Sequence, residues 1–458
     1  MPTFDPSTGE RIADVPVAGP ADVDGAVQAA RRAAPGWARL DARERARLLK
    51  ELAKRVRLAS DALALADARN SGITLKVAKR DVGIGATRLE WMAEQSLELS
   101  GQAYPTAAGR LTYSVRAPFG VVAVIFPFNH PVMFALAKSA APLAAGNTVV
   151  LKAPDQAPLA VLELAKIANE VLPAGVLTVV TGTGPVTGAA LAGHPDVGKI
   201  AFTGSVRTGQ AILEAAAPNI VPALLELGGK NAVVVFPDAD LDLAVDGAVG
   251  GMNLGVCGQS CTSGSRLFLH ADIREAFLER FLTKLAAVRV GRAIDEATEM
   301  GPLVSERQLA MVRSYVEGGR RDGARLIHGG DAPDDPALRG GWFIRPTVFD
   351  GVTPSMRIAQ DEIFGPVLSV FTWRDEGEML AAVNGLRLGL TASVWSRSLR
   401  AHDVAREIEA GYVYVNQHGG TALGVPFGGW KQSGIGVEHS RDTLYDFTRV
   451  KVVDARTA

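Results

Sequence analysis

The stretch VVAVIFPFNHPVMFALAKSAAPLAAGNTVVL, residues 121–151, holds two short apolar runs separated by an alanine-rich segment. β-Branched residues dominate the runs Val121–Ile125 and Thr148–Leu151, which are too apolar to have a face in water, as is typical of buried parallel strands. Pro131 suits the first turn of a helix predicted near Val132–Ala144. The stretch therefore predicts a strand–helix–strand unit in a parallel sheet that is covered on both sides.

The same alternation continues along the chain. Further apolar runs predict strands at Val176–Val180, Ile200–Phe202 and Ala232–Phe236, with helices near Leu159–Val171 and Gln210–Ala217. A second α/β unit begins after about Gly228, and its predicted strands lie near Arg266–Leu269, Val367–Phe371, Ala392–Trp395 and Tyr412–Val415. The expected fold class is therefore α/β.

Three segments differ from this pattern. The first hundred residues are predicted to be helical, and Asp41 is expected to cap one of the helices. Arg110–Arg116 and Phe447–Val453 alternate polar and apolar residues, which predicts half-exposed strands.

The bulk composition excludes several classes of function. A chain of 458 residues is too long for one compact core and predicts two or three domains. The formal net charge of −1 offers no basic excess for nucleic acid or for an anionic membrane surface. Neither a secretory leader nor a membrane span is expected, because polar residues interrupt even the most apolar region, 120–151.

Cys261 lies among small, flexible residues in Gly258-Gln-Ser-Cys261-Thr. Such surroundings let a substrate approach the backbone and favour a nucleophile, whereas the alternative is a buried small hydrophobe, as we interpret Cys257. The spacing Cys257-Gly-Gln-Ser-Cys261 also resembles the papain motif, which keeps a thiol hydrolase as an alternative. Two cysteines cannot form a disulfide framework, so a cytoplasmic protein is expected, with no metal site.

Two polar residues follow apolar runs. Glu226, in Leu225-Glu-Leu-Gly-Gly-Lys230, is costly to bury unless it is protonated or paired. It is either a general base with a raised pKa or the ion-pair partner of a lysine such as Lys230. Asn129 follows a predicted strand and precedes a helix, so it is either the helix cap or an amide donor to an oxyanion.

The chain has two glycine-rich stretches that could bind a phosphate. Gly204-Ser-Val-Arg-Thr-Gly209 follows a predicted strand and opens a helix, which suits a pyrophosphate. Gly182–Gly188 misses the G-x-G-x-x-G spacing and is interpreted as a turn.

Together these motifs resemble those of the NAD(P)-dependent aldehyde dehydrogenase superfamily, in the same order along almost the whole chain. The matching segments are Asp5-Pro-Ser-Thr-Gly-Glu10, Pro127-Phe-Asn129, Phe202-Thr-Gly-Ser205, Leu225-Glu-Leu-Gly-Gly-Lys230, Gly258-Gln-Ser-Cys261, Glu362-Ile-Phe-Gly-Pro366 and Pro426-Phe-Gly-Gly-Trp-Lys-Gln-Ser-Gly-Ile-Gly436. Phe128 and Asp155 stand where Trp and Glu are frequent in the family.

The resemblance implies three structural parts. They are a Rossmann-like cofactor domain (1–109 and 119–228), an α/β catalytic domain (229–435) and a small β oligomerisation arm (110–118 and 436–458) that would join a homodimer or homotetramer.

The resemblance also implies the oxidation of an aldehyde to the carboxylic acid with NAD(P)+. Cys261 would attack the aldehyde, Asn129 would hold the oxyanion of the thiohemiacetal, and Glu226 would activate water to hydrolyse the thioester. A non-catalytic family member with a structural or binding role is the remaining alternative.

The implied cofactor contacts are Phe128, Lys152, Asp155, Gly204, Ser205, Leu227, Glu362 and Phe364. A carboxylate at Asp155 would accept a hydrogen bond from the ribose 2′-hydroxyl and repel a 2′-phosphate. NAD is therefore expected to be preferred, with NADP as the alternative.

The aldehyde tunnel is expected to be lined by His130, Phe134, Ala137, Ser260, Thr262, Thr421 and Phe427. Small side chains among them leave volume that favours a larger ligand. No Arg or Lys falls in these segments except Lys138, beside the wall. A medium to bulky uncharged aldehyde is therefore the expected substrate.

Overall fold

The computed structural model describes residues 1–456. Its helices are α1 (Pro20–Arg39), α2 (Ala42–Leu58), α3 (Ser60–Ser71), α4 (Leu75–Gln95), α5 (Pro131–Ala144), α6 (Leu159–Val171), α7 (Ala189–Ala192), α8 (Val206–Ala216), α9 (Leu241–Gly251), α10 (Arg274–Ala286), α11 (Glu306–Arg321), α12 (Arg357–Gln360), α13 (Glu376–Asn384), α14 (Arg400–Glu407) and α15 (Arg441–Asp446).

The strands belong to three larger sheets and two short pairs. They are β1 (Pro2–Phe4), β2 (Arg11–Asp14), β3 (Ala103–Tyr104), β4 (Arg110–Pro118), β5 (Val121–Ile125), β6 (Thr148–Lys152), β7 (Leu177–Val180), β8 (Val197–Thr203), β9 (Ala223–Glu226), β10 (Asn231–Val235), β11 (Gly264–His270), β12 (Arg325–His328), β13 (Thr347–Asp350), β14 (Val367–Trp373), β15 (Leu388–Gly389), β16 (Thr391–Trp395), β17 (Tyr412–Val415), β18 (Trp430–Lys431), β19 (Gly434–Ile435) and β20 (Thr448–Arg456).

The first sheet has the order β19-β9-β8-β5-β6-β7, and its strands from β5 to β9 are parallel. Successive residues of β5 enter two different cores. Val122 and Val124 pack into a core that contains residues of α2 to α6, whereas Ala123 and Ile125 pack into a core with residues of α1, α7 and α8. This two-sided burial explains why the strand has no polar face, and it confirms the predicted parallel sheet.

The second sheet has the order β12-β13-β14-β11-β10-β16-β17. Every neighbouring pair is parallel except β12 and β13, which are antiparallel. One hydrophobic core covers this sheet and includes the fully buried Phe268, Phe349 and Trp395. The predicted α/β class and its second unit are confirmed.

The third sheet has the order β20-β4-β3. β4 and β20 are antiparallel from Arg110 opposite Arg456 to Pro118 opposite Thr448. Both predicted alternating strands are therefore present. The residues that lead into β20 do not all join this sheet, because α15 contacts α4 and α5. Residues 457 and 458, the end of the predicted arm, lie outside the described residues.

Four local predictions can be compared with the structure. The helical prediction is wrong at the start of the chain, where β1 and β2 pair around a turn in which Gly9 adopts a φ of 74°. Helix α8 begins at Val206 rather than near Gln210, because the Ser205 side chain accepts a hydrogen bond from the Thr208 amide. Residues 184–188 form a π-helical turn rather than a simple one. The Asp41 cap is confirmed.

In the part of the chain that the structure describes, no helix combines the length and the apolar character that a membrane crossing requires.

Candidate active site

Four parallel strands of the first sheet end at one edge. Ile125 of β5 pairs with Lys152 of β6 and with Phe202 of β8, and Thr203 pairs with Glu226, the last residue of β9. Side chains that follow these strands therefore collect along the carboxyl edge of the sheet, where open α/β sheets bind ligands.

The nucleophile candidate, Cys261, lies half-buried in the loop before β11 and lines a cavity of about 440 Å³. Asn231 fixes the loop of Cys261, because its side-chain amide donates hydrogen bonds to the carbonyls of Cys261 (2.7 Å) and Ser263 (2.9 Å). Gly229 permits this close approach, since a Cβ there would lie 2.4 Å from the Cys261 carbonyl oxygen. Sequence analysis did not identify Asn231.

The Cys261 thiol is protonated at neutral pH in this arrangement. Burial raises its pKa to about 12, and the carboxyl groups of Glu362 and Glu226 add to the shift. Attack on a carbonyl carbon therefore needs a base that removes the thiol proton, because the thiolate is the reactive form.

Glu226 is 4% exposed, and its Oε1 has no hydrogen-bond partner within residues 1–456. Burial raises its pKa well above the usual value, with a further contribution from Glu438 that Lys138 opposes. The charges that act on Lys230 are those of Arg266, Glu362 and Asp361. The alternative of an ion pair between Glu226 and Lys230 is therefore wrong.

Asn129 is 2% exposed, and its Oδ1 has no hydrogen-bond partner among the described residues. It is not the cap of α5, because His130 occupies the capping position and Pro131 is the first helical residue. The capping alternative is therefore wrong. The group that could hold an oxyanion is the Asn129 amide nitrogen, because it is the donor, whereas Oδ1 can only accept a hydrogen bond.

The carboxyl edge of the first sheet also carries groups that could bind a dinucleotide. Ser205 caps α8 by accepting a hydrogen bond from the Thr208 amide, which leaves the amides of the two residues between them, at the helix start, for an anion. The buried hydroxyl of Thr203 has no partner in the described chain. Nζ of Lys152 lies 3.7 Å from Oδ1 of Asp155, whose carboxylate is partly exposed beyond β6. The start of α8 and Thr203 could bind a pyrophosphate, and Lys152 and Asp155 could bind a ribose.

Glu362 and Phe364 extend this side of the site towards Cys261. The Gly229 amide donates to Oε1 of Glu362 at 3.1 Å, and burial raises the pKa of this carboxyl group to about 7. Gly228 gives the carboxylate room, because a Cβ there would lie 2.0 Å from Oε2. Phe364, which adopts a φ of 54°, meets Phe128 edge to face at 5.8 Å.

The aldehyde dehydrogenase family pattern matches residues 1–453. The chain belongs to the aldehyde dehydrogenase family. It is 41% identical over 460 residues to the aldehyde dehydrogenase tropH of Talaromyces stipitatus, an alignment that covers 99% of this chain and 89% of the relative.

Solved structures of family members share the whole fold. The crystal structure of PnpE in complex with nicotinamide adenine dinucleotide matches with a TM-score of 0.97 and 41% identity, over 100% of this chain and 94% of that one. PnpE is a Pseudomonas protein. The NAD+ complex of the Bacillus cereus aldehyde dehydrogenase matches with a TM-score of 0.96 and 37% identity, over 100% and 93% of the two chains.

The structure gathers most of the expected tunnel residues of this family member around Cys261. Those that line the 440 Å³ cavity are His130, Phe134, Ser260, Thr262, Thr421 and Phe427. Ala137 is the exception, because it lines an adjoining cavity of about 20 Å³. That cavity shares Arg88, Leu423 and His439 with the larger one. The prediction that Ala137 lines the tunnel is therefore wrong, because its position on α5 places it outside the lining of the larger cavity.

Helix α4 supplies polar groups that sequence analysis missed. Arg80, Asp81 and Arg88 line the same cavity, and Nδ1 of His130 lies 2.5 Å from Oδ2 of Asp81. The premise that no basic side chain reaches the substrate is therefore wrong. Asp81, Ile84 and Arg88 have the i, i+3, i+7 spacing of one helical face, which is the signal that could have revealed them.

A buried ion pair lies behind Glu226. Nζ of Lys138 lies 2.7 and 2.9 Å from the carboxylate oxygens of Glu438, and both residues belong to the charges that set the Glu226 pKa. Glu438 follows the last family motif by two residues and was not identified from the sequence.

Proposed function

We propose that this protein oxidises an aldehyde to the free carboxylic acid with NAD through a covalent Cys261 intermediate. The observation that carries the proposal is that the Cys261 thiol lies close enough to the buried carboxyl group of Glu226 for this group to add to the rise that burial causes in the thiol pKa. The buried side-chain amide of Asn129 stands next to His130, which lines the same cavity as Cys261. Each of the three groups belongs to a chemical step that the others cannot perform.

The first step forms a bond between Sγ of Cys261 and the aldehyde carbon. The thiol proton passes to water in the cavity, since the thiolate is the reactive form and the thiol is protonated at neutral pH. The carbonyl oxygen becomes an oxyanion that the Asn129 amide and the Cys261 backbone N–H stabilise.

The residues that would hold the cofactor are Phe128, Lys152, Asp155, Gly204, Ser205, Leu227, Glu362 and Phe364. When bound, the nicotinamide accepts the hydride that leaves the thiohemiacetal carbon. Asp155 favours NAD over NADP, because its carboxylate would repel a 2′-phosphate. The NAD complexes of PnpE and of the Bacillus cereus relative support this assignment.

The last step hydrolyses the thioester. Glu226 takes a proton from water, the water oxygen attacks the acyl carbon, and the proton returns to the departing thiolate. The buried ion pair of Lys138 and Glu438 acts on the charge of Glu226, because, in addition to burial, Glu438 raises the pKa of Glu226 and Lys138 lowers it.

The size of the cavity supports a medium to bulky substrate. Its volume of about 440 Å³ falls within the usual size range of ligand pockets.

The test is a panel of aldehydes with NAD and with NADP, in which NADH and the acid product are both measured. Stoichiometric acid without coenzyme A is the expected result. A requirement for coenzyme A would contradict the hydrolytic step, and acyl hydrolysis without any cofactor would favour the thiol hydrolase.

We also infer a homo-oligomer, either dimer or tetramer, with three parts in each subunit. The first sheet and its helices form the cofactor domain, the second sheet the catalytic domain, and the third sheet the oligomerisation arm. Cys257 and Cys261 are both free thiols, which supports a reducing compartment such as the cytoplasm.

A further inference from the structure

Arg88 of α4 is a half-buried cation in the wall of the 440 Å³ cavity. Its hydrogen bond within residues 1–456 runs from Nη2 to Oγ1 of Thr421 at 2.8 Å, and it forms no ion pair with any carboxylate there. A guanidinium group has five N–H donors, so most of the donors of Arg88 remain without a protein acceptor. Such a group is costly to bury unless an anion pairs with it.

The neighbouring carboxylates are already paired with other cations. Asp81 lies against His130 at 2.5 Å and against Arg80 at 3.5 Å. Glu438 is paired with Lys138 at 2.7 Å. Glu438 and Asp81 attract Arg88 from a distance, but each of them already contacts another cation and neither forms an ion pair with Arg88.

The rest of the cavity between Cys261 and α4 is largely apolar. Ile84, Met133, Phe134 and Phe427 form its sides. A ligand with a reactive carbon at one end, an apolar body and one negative charge at the other end would match Cys261, these apolar sides and Arg88. A planar carboxylate matches the geometry of a guanidinium group best, because it accepts two parallel hydrogen bonds.

We propose that the substrate is an aldehyde that carries a carboxylate remote from the carbonyl, and that Arg88 binds this carboxylate. The inference rests on the proposed aldehyde oxidation and replaces the uncharged substrate that the sequence suggested.

The test compares 4-formylbenzoate with the neutral, nearly isosteric 4-formylbenzamide. In the unaltered protein kcat/KM should favour the carboxylate by about tenfold or more, the effect of one hydrogen-bonded charge pair. Arg88→Met should bring this ratio close to one, mainly through KM, while the amide keeps its kcat/KM. Lys76→Met is the matched control, because Lys76 is an exposed cation of α4 that does not line the cavity and should leave the ratio unchanged. Equal kcat/KM for the two aldehydes, or an equal loss of both in Arg88→Met, would overturn the proposal.

Binding to the unreactive Cys261→Ala protein separates this proposal from the proposed reaction. Calorimetry should show that 4-formylbenzoate binds more tightly than the amide and that Arg88→Met in this background removes the difference. If no aldehyde yields NADH but this binding difference is present, the reaction is wrong and the carboxylate site stands. If the amide is oxidised and the two ligands bind equally, the reaction stands and the Arg88 assignment is wrong.

Discussion

At the scale of single residues, the proposed mechanism assigns Cys261 to the carbonyl carbon of the aldehyde and Asn129 to its oxygen. Cys261→Ala should abolish NADH formation, because no covalent intermediate can form. Asn129→Ala should reduce kcat about a hundredfold or more, the usual loss for one oxyanion donor. Calorimetric titration with NAD is the control, since both variants should bind it normally. Near-normal turnover in either variant would contradict these roles.

Glu226 should give a different signature, because it acts after the acyl group has formed. Glu226→Gln should accumulate acyl-enzyme, visible as a mass increase of the intact protein. Only the ionised carboxylate is a base, and its pKa is raised by burial, so the steady-state rate should climb with pH well above the range in which an ordinary glutamate titrates, about 4.3. A flat pH profile would contradict this role.

Asp155 should decide the cofactor preference. Its carboxylate is partly exposed and lies 3.7 Å from Lys152, which remains to attract a 2′-phosphate once the acid is removed. Asp155→Ser should therefore narrow the ratio of kcat/KM for NAD over NADP. Equal values for the two cofactors in the unaltered protein would show that Asp155 does not discriminate between them.

The sequence was informative about residues within motifs and uninformative about residues that reach the site from elsewhere. Cys261, Glu226 and Asn129 each stand beside glycines or a strand end, so their surroundings marked them. Arg88 and Asp81 lie on an ordinary amphipathic helix, and only the packing of α4 on α5 brings them to the cavity. That packing depends on contacts distant in sequence, which local patterns do not reveal.

At the scale of elements, the substrate wall depends on how closely α4 approaches α5. A Cβ at Gly85 of α4 would lie 2.9 Å from Cδ1 and 3.1 Å from Cβ of Leu136, and 3.3 Å from Cα of Met133. Gly85→Ala should therefore destabilise the protein by about 1–3 kcal/mol, the usual effect of overpacking. It should also raise KM for the aldehyde, because α4 carries part of the cavity wall.

Gly83 provides the control on the same helix. A Cβ at Gly83 has no neighbour within 4 Å, so Gly83→Ala should stabilise the helix by up to about 1 kcal/mol. Thermal unfolding of the two variants should shift in opposite directions. Equal shifts would mean that the approach of α4 to α5 does not limit stability.

The strands that sequence analysis identified are those buried on both faces, because their apolar runs have no other explanation. Elements that were missed are short or depend on partners distant in sequence. The β1–β2 pair spans few residues, and β19 exists only because Gly434 and Ile435 pair with Glu226 and Leu225. Their residues carry no periodic pattern of their own.

At the scale of the whole molecule, the order of strands in each sheet could not be predicted from the sequence. Periodicity predicts that β4 and β20 are strands, but their pairing joins residues more than three hundred positions apart, such as Thr112 and Asp454. The fold brings the two together by returning the chain from the second sheet, through β19 and α15, to the first.

The resulting third sheet has β20 at its edge, with exposed Val450 (54%) and Val452 (56%). Two solvent-exposed valines two residues apart on a nine-residue edge strand form a surface that another subunit can extend by strand pairing. Replacing both with glutamate should place like charges at this edge and shift the protein to a smaller species in light scattering coupled to size exclusion.

The matched control adds the same two charges at exposed leucines far from β20, Leu58→Glu and Leu399→Glu, where the side chains are 76% and 81% exposed. This control should keep the assembly of the unaltered protein, because neither leucine lies on a free strand edge. The active site is built from the first two sheets, so the smaller species from the Val450 and Val452 variant should still bind NAD. An unchanged mass for that variant would show that β20 does not join the subunits.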